Sequence, residues 1–226
     1  MIYQLTDIMR DVRIAIDQNM TSDQLLSTDD VDTLALNDII KSKILEAVRR
    51  VHLEAPVNML ESGHNFGDSI VWKDLESGYT LLPDDFLRLV VFEMSDWERP
   101  VFTAITAIHP DYKRQSSRFK GVRGTAQRPV CAIINRGGVS VLEPVTYVTK
   151  VPEGLILEFY SCKSQDATVK RAVYIPEPSI DEDGGVDISE KCYTAVIYMA
   201  ASLVVGTYGE AELSNTMLQL SATYLK

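Results

Sequence analysis

Apolar positions recur at helical spacing toward both ends of the chain and gather into strand-like runs in between. Leu5, Ile8, Met9, Val12 and Ile16 share one stripe while Asp7, Arg10, Asp11 and Arg13 lie off it, which predicts an amphipathic helix over 3–17. Thr21 with Gln24 has capping-box spacing, and Ser27 to Asp32 reads as a polar, acidic loop. A second helix begins at Asn37, carries Ile40, Ile44, Ala47, Val48 and Val51 in register, and stops before Pro56. Near the other end, Ile188 to Thr207 is apolar nearly all round, with Asp187 and Glu190 as its acidic start. Such a helix needs cover on most sides, and its apolar surface is more than one small bundle hides, which argues for a neighbouring copy. Gly206 or Gly209 ends it, and Glu210 opens a last helix striped with Leu213, Met217, Leu220 and Tyr224.

The middle has a different period. Leu82-Pro83-Asp84-Asp85 makes a turn into Phe86–Met94, a run too apolar for a half-wet strand, and Val101 to Ile105 reads as the returning strand of a central hairpin. Ile70 to Trp72 predicts a strand before it. After it come a short helix over 111–118, an exposed loop over 121–127 and a strand over 130–134. Asn135-Arg136-Gly137-Gly138 turns that strand into Val139–Glu143, and Gly154 to Cys162 gives one more. Pro176 to Asp187 reads as a Pro-containing acidic linker. The expected fold is therefore α+β, a single domain over 1–226. An α-helical bundle forms from parts 1–57 and 187–226, with a β-rich insertion at about 70–175.

Composition is that of an ordinary globular chain, 46% hydrophobic and 24% charged. The opening residues show no basic lead with an apolar core, so secretion is not expected, and no apolar run reaches membrane-span length. Three scattered cysteines, Cys131, Cys162 and Cys192, suit a reduced compartment and suggest neither a disulfide framework nor a zinc site. Net charge changes the picture more. The chain totals −10, yet Lys113, Arg114, Arg118, Lys120, Arg123 and Arg128 crowd 109–128 against a lone Asp111. That segment reads either as a solvated loop or as a docking arm for an acidic surface, such as the 173–190 region of an adjacent subunit; direct DNA contact suits so acidic a chain least.

Reactive equipment is sparse. His52, His64 and His109 have no metal-ligand spacing, and His52 near a helix end sits where a cation is favoured. Asp84 and Asp85 are accounted for by their turn. The glycine-containing loops fit no phosphate-binding motif, and no serine lies in a nucleophile elbow. Trp72 and Trp97 read as core or interface anchors. No cofactor and no metal is expected.

Several stretches in their order resemble the head-to-tail adaptor, or ring, proteins of short-tailed bacteriophages, of the tail tubular protein A type and including ring proteins of crAss-like phages. They are the 37–56 helix ending His52-Leu53-Glu54-Ala55-Pro56, the Leu82-Pro83-Asp84-Asp85-Phe86-Leu87-Arg88-Leu89 turn, Arg123-Gly124-Thr125-Ala126-Gln127-Arg128-Pro129-Val130-Cys131-Ala132-Ile133, and the helix pair 193–207 and 210–224 broken at Tyr208-Gly209-Glu210. The acidic residues at 29–32 and the 176–187 linker have no counterpart in that pattern. The resemblance implies a non-enzymatic virion protein, made in the host cytoplasm and placed at the portal vertex. Copies, typically twelve, would form a ring that meets the portal protein on one side and downstream tail or ring proteins on the other. Double-stranded DNA would pass without specific binding, helped by an acidic lining that repels phosphates. The expected interaction residues are the six cations above with Trp97. Two other readings stay open: an acidic binding module using 113–128 to hold an acidic partner, and a small hydrolase whose site assembles only in space.

Overall fold

The computed structural model describes residues 1–19, 36–60, 63–67, 69–117, 119–135 and 154–226. The capping box at Thr21, the acidic loop at 27–32, the strand at Val139–Glu143 and Arg118 lie outside them. In chain order the elements are β1 (Ile2–Gln4), α1 (Leu5–Asn19), α2 (Leu36–Glu54), β2 (His64–Asn65), β3 (Ile70–Trp72), β4 (Gly78–Leu81) and β5 (Phe86–Met94). There follow β6 (Ile105–Thr106), α3 (Pro110–Arg114), β7 (Cys131–Asn135), β8 (Leu155–Phe159), β9 (Val169–Pro176), β10 (Gly185–Asp187), α4 (Tyr193–Thr207) and α5 (Ala211–Thr223). The fold is α+β. The chain divides into two compact units, one of residues 1–62 with 177–226 and one of residues 63–176.

The first unit is built on α4. Ala195, Val196, Met199, Ala200, Val204 and Val205 are buried against Ile8 and Val12 of α1, Ile44, Val48 and Val51 of α2, and Met217 of α5. Burying each large aliphatic side chain contributes about 1.5–3 kcal/mol, so this seam dominates the unit's stability. The chain thus covers α4 with its own helices, and the inference that its apolar surface needs a neighbouring copy does not hold. Small residues let α5 approach closely. Ser202 Oγ donates to the Ser214 carbonyl at 2.8 Å, Ser214 Oγ donates back to the Ser202 carbonyl at 2.9 Å, and Ser221 Oγ donates to the Ala195 carbonyl at 2.8 Å. Gly209, at φ +84°, makes the left-handed break between the two helices.

The expected acidic linker is partly strand. β10 pairs antiparallel with β1, Tyr3 opposite Val186, and 181–184 forms its tight turn. Asp187 is therefore ladder backbone, not a helix cap; a 3₁₀ turn at Glu190–Cys192 leads into α4, which begins without a side-chain cap. Tyr3 stacks on Tyr193 at 4.2 Å, and the Tyr193 hydroxyl donates to Asp11 at 2.7 Å. His52 is buried, and burial lowers its pKa although Asp187 pulls the other way, so it does not serve as a helix-end cation.

The second unit holds two sheets, ordered β2-β9-β5 and β3-β4-β8-β7-β6. The central hairpin expected at 86–105 is not one. β5 meets Val101 at a single antiparallel bridge, and its main partner is β9, which occupies the middle of the three-stranded sheet. Ile105 joins the other sheet, parallel to β7. The chain turns back as far as that bridge and leaves over residues 102–104 for the second sheet, so local apolar pattern did not fix the partner. Phe66, Phe92 and Tyr174 of the smaller sheet side cluster with Cys131, Leu157 and Phe159 of the larger. The Phe92 ring lies 5.9 Å from Phe66 and from Phe159, and 5.7 Å from Trp97. Gly78 is required where it is, since a Cβ there would sit 2.7 Å from the Phe159 ring and 2.8 Å from the Val71 carbonyl oxygen.

Candidate interaction surface

Several described residues of the basic segment are tied down. α3 starts at Pro110 with the His109 ring accepting the Asp111 amide, and Arg114 pairs with Asp111 at 2.7 Å. Gln115, buried, donates to the Asp111 carbonyl at 3.0 Å and accepts the Gly124 amide at 2.8 Å, tying the end of α3 to the following loop. Thr125 and Arg128 exchange backbone hydrogen bonds and close the turn. Gly124 and Ala126 are buried, so the loop expected to be exposed over 121–127 is only partly so; Ser161 and Val130 crowd Gly124 too closely for any side chain.

Glu76 is the residue that organises this region, and nothing in the sequence pointed to it. Asp74 makes the turn that presents it: its carboxylate accepts the Ser77 amide at 2.7 Å and the Glu76 amide at 2.9 Å. Burial pushes the Asp74 pKa up, but the Ser77 side chain, these two amides and Arg123 outweigh it and leave the pKa lowered. Glu76 in turn pairs with Arg123 and, at 3.2 Å, with Lys120. With Arg114, three of the expected docking cations are thus committed within the chain. Lys113 and Arg128 are exposed. Trp97 is a correction: at 6% exposure it belongs to the core, edge-on to Phe92, and offers no partner an anchor. The acidic 173–190 region is also partly engaged, with Glu177 taking Arg49 Nε on both oxygens at 3.1 Å. Beside Glu76 lies a groove of about 350 Å³, lined by Lys120, Arg123, Lys163, Glu98 and the 124–127 turn.

Two buried carboxylates support the strands behind it. Glu158 takes Lys73 and the hydroxyls of Tyr160 and, at 3.2 Å, Tyr112. Burial, and next the hydrogen bond to Glu158, drive the Tyr160 pKa far above the ordinary phenol value. Glu93 takes Lys170 at 2.8 Å and Arg171 at 2.6 Å; the Lys170 hydrogen bond is the chief cause of its lowered pKa, outweighing burial. A second groove, of about 610 Å³, runs along β9 past these two cations. Cys162 lies with Asp96 and Trp97, and its thiol is pushed up to about 12, first by burial and then by the Asp96 charge. Cys131 is raised likewise by burial, with Cys162 adding to it. Among the described residues no three His, Cys, Asp or Glu side chains gather where they could hold a metal ion, and no helix is long and apolar enough to cross a membrane.

Charge is divided between the units. Residues 1–62 and 177–226 carry 19 acids and 8 Lys or Arg, net −11, whereas 63–176 carry 13 and 14, net +1. The second unit also holds Leu75, Phe102, Ile108, Phe119 and Val122 out in solvent, each more than half exposed. No family model matches this chain, and no curated protein matches it either.

Proposed function

We propose that the chain is a structural, non-enzymatic connector of a short-tailed phage particle, a head-to-tail adaptor whose copies form a ring beneath the portal protein. The observation that carries this reading is a helical unit assembled from both ends of the chain, interrupted by a β-rich unit with apolar and basic tips. That is the order of elements the adaptor resemblance calls for. Function in such a part lies in the faces that copies present to one another. The division of charge supports it, because an acidic helical unit and a near-neutral, partly basic β-rich unit give adjacent copies surfaces of opposite character. Particles of the phage that encodes this chain provide the test. Quantitative mass spectrometry should find about twelve copies per particle, and cryo-EM should place them as a ring between portal and tail with Asp and Glu facing the channel. A particle lacking the chain overturns the connector reading, and a basic channel lining overturns the acid-lined passage.

A further inference from the structure

Two turns of the second unit hold apolar side chains in water around one carboxylate. Leu75 is 71% exposed at the tip of the turn that Asp74 organises, and Phe119 is 76% exposed at the start of a second turn. Glu76 ties the two together through Lys120 and Arg123, so the tips are neighbours fixed by ion pairs. Val122, whose amide closes the second turn on the Phe119 carbonyl at 3.0 Å, adds a third apolar face. Glu76 answers one charge of its two cations, so the apolar tips flank an ion-paired cluster with one positive charge in excess, the makings of a protein contact.

The first unit displays its counterpart. The turn at 181–184 has Glu182 and Asp183 exposed, and Ile180 beside them is 38% exposed. The Asp181 carboxylate is spent on the Gly185 amide and fixes the turn's shape. One apolar side chain flanked by carboxylates complements an apolar cluster rimmed by Lys120, within units whose net charges are −11 and +1.

We infer that the Leu75–Phe119–Val122 surface docks the Ile180–Asp183 turn of a second copy of this chain. The inference rests on the ring reading and gives it a contact. Each copy owns one surface of each kind, so the contact is heterologous and head-to-tail, which propagates until a ring closes or a filament grows.

Sedimentation velocity of the full chain over a concentration series tests it, with Lys120→Glu, Phe119→Ser and the double variant Glu182→Lys/Asp183→Lys. All four sites are exposed, and circular dichroism checks that each variant folds. Phe119→Ser should weaken self-association at least ~10-fold, as loss of a buried aromatic contact does. Lys120→Glu and the double variant should each weaken it by a similar factor. Mixed together, those two should associate where neither does alone, because the unaltered turn of one meets the unaltered Lys120 surface of the other and the two reversed faces again carry opposite charges; general damage to folding gives no such rescue. Folded variants that associate like the parent overturn this contact and leave the ring reading standing. A parent chain still monomeric at about 100 μM overturns self-docking too, while the composition of the particle decides the ring separately.

Discussion

Replacing Glu158 by Gln isolates the contribution of a buried charge to the β-rich unit. The carboxylate is 2% exposed and takes Lys73, which is 32% exposed, and two tyrosine hydroxyls. Gln keeps the shape and one acceptor oxygen but turns the other oxygen into a donor facing donors. Each hydroxyl-to-carboxylate bond contributes about 1.5–3 kcal/mol, and a neutral replacement recovers about 1 of it. The Lys73 pair is discounted to about 1 kcal/mol because solvent reaches the ammonium. With about 1 kcal/mol recovered at each of the two hydroxyls, the expected cost is therefore about 2–5 kcal/mol. Both tryptophans, Trp72 and Trp97, lie in the same unit as Glu158, so fluorescence in urea reports that unit directly. With a slope of about 2 kcal/mol/M the midpoint should fall by about 1–2.5 M. Tyr160→Phe should cost less and should not add fully to Glu158→Gln, since both remove the same bond. A midpoint shift under about 0.3 M, or full additivity, would show that the carboxylate does not organise these strands.

Three further outcomes follow from other contacts. Glu93 has its pKa lowered in the folded state by Lys170 and Arg171, so its stabilisation is complete above the unfolded value of 4.5 and is lost as pH falls through the folded value. Glu93→Gln should accordingly flatten the acid side of the fluorescence-monitored stability profile, by about 1 kcal/mol since both cations are half exposed; an unchanged acid limb refutes the pairing. The three cysteines are buried and unbridged, and Cys131 and Cys162 have raised pKa values, so a disulfide-exchange reagent at pH 8 should find no fast thiol in the folded chain and three in denaturant. Gly78→Ala should destabilise the β-rich unit by about 2 kcal/mol or more by overpacking against Phe159, and a neutral result in the same urea titration would mean that β4 can shift.

The helices were legible because each buries a continuous stripe, and a stripe is a local property of sequence. Ile40, Ile44, Val48 and Val51 announced α2 to within a residue or two, and Pro56 announced its end. The partners of strands were not legible. Phe86 to Met94 reads as a strand whatever lies beside it, but only the folded chain shows β9 there instead of Val101–Ile105. β9 itself went unread, since Lys170 and Arg171 interrupt its apolar pattern; they are there to meet the buried Glu93 on the next strand. The candidate interaction surface was half visible. A cluster of cations stands out in any sequence, but Glu76, the anion that holds two of them, lies over forty positions away and looks like any turn residue. Trp97 was misread because a tryptophan suits an interface and a core equally well, and only its position beside Phe92 decides.

The backbone passes between the units twice, once after residue 62 and once after residue 176. A protease that severs either passage leaves two fragments still joined, because α2 on one side of the break remains packed against α4 on the other. Such a nick adds only one water to the native mass, and the two fragments part only after denaturation. An assembly built from this chain would tolerate one broken connection per copy without shedding a piece.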